Sequence, residues 1–195
     1  MVPTRVLLAA TLDALTRHTA PTRDAAVVHE HTLAHLRTHG TVGFSRQIPE
    51  HVTASALVLD PSLTRTLLCF HRKGGFWVQP GGHLDADDAT PAAGALREMR
   101  EETGAQPVAG VDPGLRTQLA DIDRHHLSAS FGTCRTHIDL GFLVIADPGA
   151  PLAVSAESLD VAWWPLDALP DDAAEGLGGR LAVAAVVAVT ATAAR

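Results

Sequence analysis

At 195 residues the chain has room for one domain, or one domain with an extension, and its 46% hydrophobic content can fill a packed core. Aromatics make up only 4% and tyrosine is absent, so alanine and valine must do much of the filling. A formal charge of −7 argues against a binder of nucleic-acid phosphates, which needs a basic stripe, and suits an enzyme that handles small anions through bound cations.

Residues 1 to about 50 read as helical. Leu7, Leu8, Leu12 and Leu15 mark one apolar stripe, and Val27, Val28, Leu33 and Leu36 a second after the break at Pro21. Asp13 and Arg17 interrupt the first stripe, which argues against a signal peptide. His18, His29, His31, His35 and His39 crowd this segment. His31 and His35 have the i, i+4 spacing that can hold zinc, but no acidic or cysteine partner stands out, and histidines exposed on an amphipathic helix need no special cause.

From residue 51 the texture changes. Thr53–Asp60 and Arg65–His71 read as strands around the turn Asp60-Pro61-Ser62, and Phe76–Gln79 as a short strand leading into Pro80-Gly81-Gly82. Two further strands are predicted over Leu115–Asp123 and Arg135–Ala146. A loop with Pro148, Gly149 and Pro151 follows, then a strand at Val161–Trp164 and a final helix beginning after Asp171. The most apolar run, Leu181 to Ala194, is 14 residues long, too short for a bilayer span. Strand runs interspersed with helices predict an α+β or mixed α/β domain. Cys69 and Cys134 are both assigned to strands and read as buried free thiols, consistent with a reducing cytosol, with a single disulfide as the alternative.

The chemistry concentrates between Pro80 and Ala105, PGGHLDADDATPAAGALREMREETGA. Thr90-Pro91 is a strong helix start, with threonine as N-cap and proline at the first helical position, and Gly104 is a left-handed C-cap. At about 100° per residue, Ala92, Ala95, Leu96, Met99 and Thr103 share one face, and Arg97, Glu98, Glu101 and Glu102 fall on the opposite arc. Carboxylates this crowded repel one another unless neutralised, and a hard divalent cation with oxygen ligands is the obvious neutraliser. A solvated charged face with an ordinary Arg97–Glu101 pair explains the helix alone equally well. The glycines and acidic turn upstream favour an oxygen cage.

This segment resembles the signature box of the Nudix hydrolases. Gly82 matches the opening glycine, and Arg97-Glu98-Met99-Arg100-Glu101-Glu102-Thr103-Gly104-Ala105 matches the complete second half. There is one departure: the turn is one residue longer than usual, and the customary glutamate, a supporting residue of the loop, is replaced by Asp85, Asp87 or Asp88. The resemblance covers about residues 51–195 and leaves 1–50 as an N-terminal helical extension, a candidate dimer interface, lid or buttress. It implies a mixed β-sheet sandwiched between α-helices. The reaction it implies is attack by water on a phosphorus of a diphosphate linkage, in a nucleoside diphosphate joined to another group. That makes the expected protein a cytoplasmic pyrophosphatase whose partner is a small nucleotide-type molecule, with no nucleic acid and no membrane. The resemblance gives Mg2+ or Mn2+ the ligands Glu98, Glu101, Glu102 and the Gly81 carbonyl, and gives Arg97 the task of orienting a glutamate. Members of the family differ in their general base, so Glu98 and Glu157 both stand as candidates.

Substrate contacts are less specific. Arg72 and Lys73 precede Gly74-Gly75 and could bring cations over phosphates, though a hairpin turn explains them nearly as well. Trp77, Trp163 and Trp164 could stack on a base or fill the core, and we favour core for at least one of Trp163 and Trp164. His125, His126, His137 and Asp139 sit on predicted strands. His137 and Asp139 alternate to one face, where they form a pocket wall or, by preference, a hydrogen-bonded structural pair. Two other functions compete: a non-catalytic Nudix-fold nucleotide sensor, and an isomerase using glutamate with Cys69 or Cys134. The absence of tyrosine, and of proline between Gly114 and Asp147, slightly disfavours the dinucleoside-polyphosphate and ADP-ribose subgroups without naming a substrate.

Overall fold

The computed structural model describes residues 4–109, 118–129 and 132–193. Two helices open the chain, α1 (Arg5–Arg17) and α2 (Arg23–His39), capped by the hydroxyls of Thr4 and Thr22, and a 3-10 turn at Gly40–Phe44 follows. Then come β1 (Glu50–Leu59), β2 (Arg65–His71), β3 (Phe76–Val78), β4 (Gly81–His83), α3 (Pro91–Thr103), β5 (Leu119–His126), β6 (Thr136–Ile145), β7 (Ser158–Pro165) and α4 (Leu177–Ala193). The elements agree with the sequence reading except at particular edges. The start of the predicted Leu115–Asp123 strand and the last residue of the predicted C-terminal helix lie outside the described residues. β1 begins three residues earlier than predicted, at Glu50, and Gly81–His83 pairs as a strand where only a loop entry was expected. Cys134 lies in the loop before β6 rather than in a strand.

The strands form one mixed seven-stranded sheet. β1 lies parallel to β6, while β2, β3, β5 and β7 join through antiparallel pairs. β1 divides its other edge: its C-terminal end meets β2 at Leu59, and its middle meets β4 from Thr53 to Ser55. The cleft that opens between these two partners becomes the site.

Alternation along β1 and β6 sorts the side chains into two layers. Val52, Ala54, Ile138, Leu140 and Phe142 pack with Leu7, Leu15, Leu33 and Leu36 of α1 and α2 and with Ala92 and Ala95 of α3. Ala56, Val58 and Val144 meet Met99 of α3. On the other face, Leu57, Leu59, Leu143 and Ile145 are covered by Leu177, Leu181, Ala184 and Ala188 of α4. The sheet is thus sandwiched between helices, as expected. Among the described residues no helix is long and apolar enough to cross a membrane.

The α4 face is polar at one end. His51, Thr53 and Ser55 of β1 and His137 and Asp139 of β6 point there, beyond the reach of α4's apolar stripe. Asp139 is buried and accepts hydrogen bonds from Thr53 (2.9 Å), Ser55 (2.5 Å), Gln79 (3.3 Å) and Arg180 of α4 (2.9 Å). Arg180 also donates to Asp121 at 2.6 Å. Its path over the sheet requires a glycine, since a Cβ on Gly141 would stand 2.9 Å from the guanidinium.

Candidate active site

α3 forms as its caps dictate: Thr90 accepts from the Ala93 N–H at 3.0 Å, Pro91 occupies the first turn, and Gly104 closes the helix at φ +70°. The acidic arc is less uniform than helical spacing implies. Glu101 faces solvent with its side chain 58% exposed, but Glu102 is only 8% exposed. Glu102 turns toward β4 and accepts the Gly81 N–H at 2.8 Å. Gly82 lies under Glu98, so that a Cβ there would come within 2.9 Å of its carboxylate. Glycine is needed at 81, where β4 lies against β1: a Cβ there would stand 2.4 Å from that of Ser55 and 2.8 Å from the Ala54 carbonyl, whereas one at 82 would displace the Glu98 carboxylate.

Arg97 binds the site together. It donates to both oxygens of Asp88 (3.2 and 2.9 Å), to Glu98 (3.0 Å), to Glu101 (3.0 Å) and to the His83 carbonyl (3.0 Å). Of the three aspartates in the lengthened turn, Asp88 is the one that folds inward, at 5% exposure, while Asp85 and Asp87 remain exposed. Asp88 also accepts the Asp85 N–H at 2.8 Å, and its own N–H returns to the Asp85 carbonyl at 3.2 Å, which closes Asp85 to Asp88 into a compact turn. Gly94 makes room for it, since a Cβ there would meet Leu84 at 2.3 Å and Asp88 at 2.9 Å. Asp88→Ala is expected to cost about 1.5–3 kcal/mol, the range for hydrogen bonds to a charged group. A lower urea midpoint at unchanged m-value checks this; an unchanged midpoint would remove Asp88 from the support of the loop.

The carboxylates strain against one another. Burial pushes the Glu102 carboxyl up to about 7; the Gly81 N–H opposes the rise, and the charges of Glu98, Glu157 and Glu101 add to it. Burial also raises Glu98, partly offset by Arg97, with Glu101 and Glu157 contributing again. This donor set fits a hard divalent cation: three clustered carboxylates that share one guanidinium, with Glu102 outside its reach, and whose mutual repulsion such an ion would relieve. Glu98, Glu101, Glu102 and the Gly81 carbonyl are the groups that could hold it.

A cavity of about 460 Å³ opens beside Glu102 and Gly81, with Glu98 and Glu101 outside its lining. Glu102, Gly81, Gly82 and Glu157 line one side, and Arg72 and Lys73 stand at the same mouth. Arg72 is held by the Ala156 and Ser158 carbonyls at 3.0 and 3.2 Å, and its N–H donates to the Glu157 carbonyl at 3.0 Å, so this cation and the exposed Glu157 form one unit. The opposite side carries His83, His125, Cys134 and His137. Burial, reinforced by Arg46 and the other imidazoles, lowers His83 to about 3, and burial with His51 and His125 lowers His137 to about 3. Both rings are neutral at pH 7. A larger groove of about 800 Å³ between α1, β5 and α4 carries none of these groups.

Several expected contacts are placed differently. Trp77 does not line the cavity: it is 8% exposed and packs edge-on against Phe70 and Trp164, with ring centroids 5.4 and 5.3 Å away. Alternation along β3 instead turns Phe76 and Val78 to the cavity, and Phe76 stacks on His71. Trp163 and Trp164 both pack against core clusters. His137 and Asp139 share the cavity wall, but the partners of Asp139 are Arg180, Thr53, Ser55 and Gln79 rather than His137. Cys69 is buried, which pushes its thiol up, and is absent from the lining, whereas Cys134 is in it. His31 does have an acidic neighbour, Glu50 at 3.2 Å, which Arg124 also engages at 2.7 Å. Phe76, His51, His83, Arg46 and Gln79 were missed. The polar alternation His51, Thr53, Ser55 within an apolar strand was the signal available for the first of the histidines.

A sequence model of the NUDIX domain matches residues 49–182, well over half of the chain. The chain belongs to the Nudix family. Solved Nudix structures share the fold. A NUDIX-family hydrolase from Clostridium perfringens superposes with a TM-score of 0.53 at 19% identity, covering 71% of this chain and 97% of its own. A MutT Nudix hydrolase from Burkholderia pseudomallei gives 0.52 at 23% identity, covering 68% and 96%. The Nudix domain of Shewanella oneidensis NrtR, solved with ADP ribose, gives 0.52 at 19%, covering 68% and 84%. No curated protein matches the chain in sequence. In this Nudix protein the box helix, the glycine strand and the cavity are adjacent, and Asp88 is the turn aspartate that engages Arg97.

Proposed function

We propose that this Nudix protein hydrolyses a diphosphate linkage in a small nucleoside diphosphate joined to another group, with Mg2+ or Mn2+ on Glu98, Glu101, Glu102 and the Gly81 carbonyl. The observation that carries the reading is Glu102: a carboxylate raised by burial and, behind it, by three neighbouring carboxylates, latched to Gly81 and lining a cavity that Arg72 and Lys73 also line. When bound, the divalent ion would polarise phosphoryl oxygens and lower the pKa of water. Arg97 orients Glu98 and Glu101 through its hydrogen bonds. Arg72 and Lys73 lie where they can bind the phosphates, and His137 belongs to the wall that would face the group beyond them. Glu98 and Glu157 are the candidate bases, and the Glu157 charge felt by both Glu98 and Glu102 supports its place beside the metal ligands. Residues 51–195 form the catalytic unit in this reading, with α1 and α2 as its buttress, since their leucines pack under the same sheet.

A panel of nucleotide sugars, dinucleoside polyphosphates, ADP-ribose and nucleoside triphosphates tests it, with magnesium or manganese present and nucleotide or phosphate release as the readout. Turnover of at least one class, lost on chelation, is the expected result. Tight binding with no turnover of any class would replace the hydrolase by a nucleotide sensor on the same fold.

A further inference from the structure

The far wall of the cavity holds a second set of donors, of a different chemical kind. We propose that His51, His83, His137 and Cys134 bind a zinc-class transition-metal ion, at a site separate from the carboxylates. One donor atom from each of the four residues lies within 4.8 Å of all the others. Within the cluster the Nε2 atoms of His51 and His83 lie 2.9 Å apart, and Cys134 Sγ lies 4.0 Å from His83 Nε2. Tetrahedral zinc, with Zn–N about 2.0–2.1 Å and Zn–S about 2.3 Å, sets its donors roughly 3.3–3.6 Å apart. The observed values straddle that spacing, so small side-chain rotations suffice.

The rings are also prepared for it. His51 is fully buried, and its Nδ1 donates to the Ile48 carbonyl at 3.1 Å, which leaves Nε2 as a lone pair aimed into the cluster. Such a backbone partner is the usual support behind a metal-bound histidine. With that tautomer fixed, the metal-free contact has His83 Nε2–H donating to His51 Nε2. Ion binding moves the His83 proton to Nδ1. The Nε2 of His137 is buried with no hydrogen-bond partner among the described residues, the kind of orphaned polar atom that needs an explanation. The ring centroids of His51 and His83 each lie close to that of His137, at 4.9 and 5.2 Å. Cys134 would lose its thiol proton to solvent on binding, and the thiolate offsets one of the ion's two charges beside Arg46.

Chemistry sorts the two sites. Imidazole and thiolate select a borderline ion such as Zn2+, whereas carboxylate and carbonyl oxygens suit Mg2+. Four protein ligands and no open position describe a structural ion. It would tie the Cys134 loop to β1, β4 and β6 at one end of the cavity. β4 carries both sites: Gly81 holds Glu102, Gly82 lies under Glu98, the His83 carbonyl holds Arg97, and the His83 ring enters the second cluster.

Metal-stripped full-length protein is titrated with Zn2+ against a chromogenic chelator in excess Mg2+, and with Co2+ followed by absorption. The expected result is one Zn2+ equivalent that magnesium does not displace. Co2+ should give tetrahedral d–d bands and a thiolate-to-metal charge-transfer band. Cys134→Ser, a one-atom change in a half-buried loop residue, should abolish that band and weaken Zn2+ binding at least about tenfold. His137→Gln should weaken it comparably, and Glu102→Gln should leave both readouts unchanged. Zinc binding that survives Cys134→Ser and His137→Gln but is lost in Glu102→Gln would overturn the proposal. So would the absence of any magnesium-resistant equivalent.

Discussion

Replacing Glu102 by glutamine is expected to lower magnesium-dependent hydrolysis by about a hundredfold or more while leaving the fold intact. A bound divalent ion contributes several kcal/mol to stabilising transition-state charge, and each 1.36 kcal/mol is about tenfold in rate. Glu102 is the buried member of the acidic arc, and its carboxyl is raised first by that burial and then by the charges of Glu98, Glu157 and Glu101. Glutamine keeps an oxygen for the Gly81 N–H, so the latch between α3 and β4 survives and only the anionic ligand is lost. Glu101→Gln should act in the same direction, although Glu101 is solvent-exposed and also bound to Arg97. Steady-state rates across a magnesium titration, with circular dichroism as the fold control, make the measurement. Turnover within a few-fold of the parent in both variants would sink the metal assignment.

Arg180→Met should produce the largest loss of stability, about 3–5 kcal/mol, because it strands buried Asp139 without its cation. For a chain of this size that corresponds to a melting temperature roughly 10 °C lower. Burial alone would raise the Asp139 carboxyl. Arg180, with hydrogen bonds from Ser55 and from Arg180 itself, instead holds it below its ordinary value. A depressed carboxylate contributes stability that is fully present above its unfolded pKa of about 3.9 and is lost as pH falls through the lower folded value. In the variant the order reverses, because buried Asp139 without its cation is more stable protonated. The gap between parent and variant should therefore narrow steadily as pH falls from neutral to below about 4, first as the variant's buried carboxyl protonates and then as the parent loses the contribution of its depressed carboxylate. Urea denaturation at neutral and acid pH measures it, and a gap independent of pH would show that the variant acts through packing alone.

How much of this was legible beforehand follows the range of the interactions. Thr90, Pro91 and Gly104 bound α3 through contacts within four residues, and those were read correctly. Which aspartate supports Arg97 was not decided, because Asp85, Asp87 and Asp88 are chemically alike and only the fold of the turn onto Gly94 distinguishes them. Trp77 had equal claims on core and cavity until the pairing of β3 with β2 set its side. The histidine–cysteine cluster is invisible in the sequence for a related reason: the predicted β1 begins two residues after His51, and His83 falls in a predicted loop, whereas both belong to paired strands.

By itself, the sequence determined the caps, the strand and helix periods, and the acidic face of one helix, together with the family to which that helix belongs. These rest on local geometry, which the chain carries wherever it goes. Only the tertiary structure decided that Glu102 is buried while Glu101 is not, that Asp139 belongs to Arg180 of a distant helix, and that His51, His83, Cys134 and His137 converge. Those outcomes depend on the register of β1 against β4 and β6. Register is chosen by the burial of whole sheet faces, and no short stretch of residues contains that information.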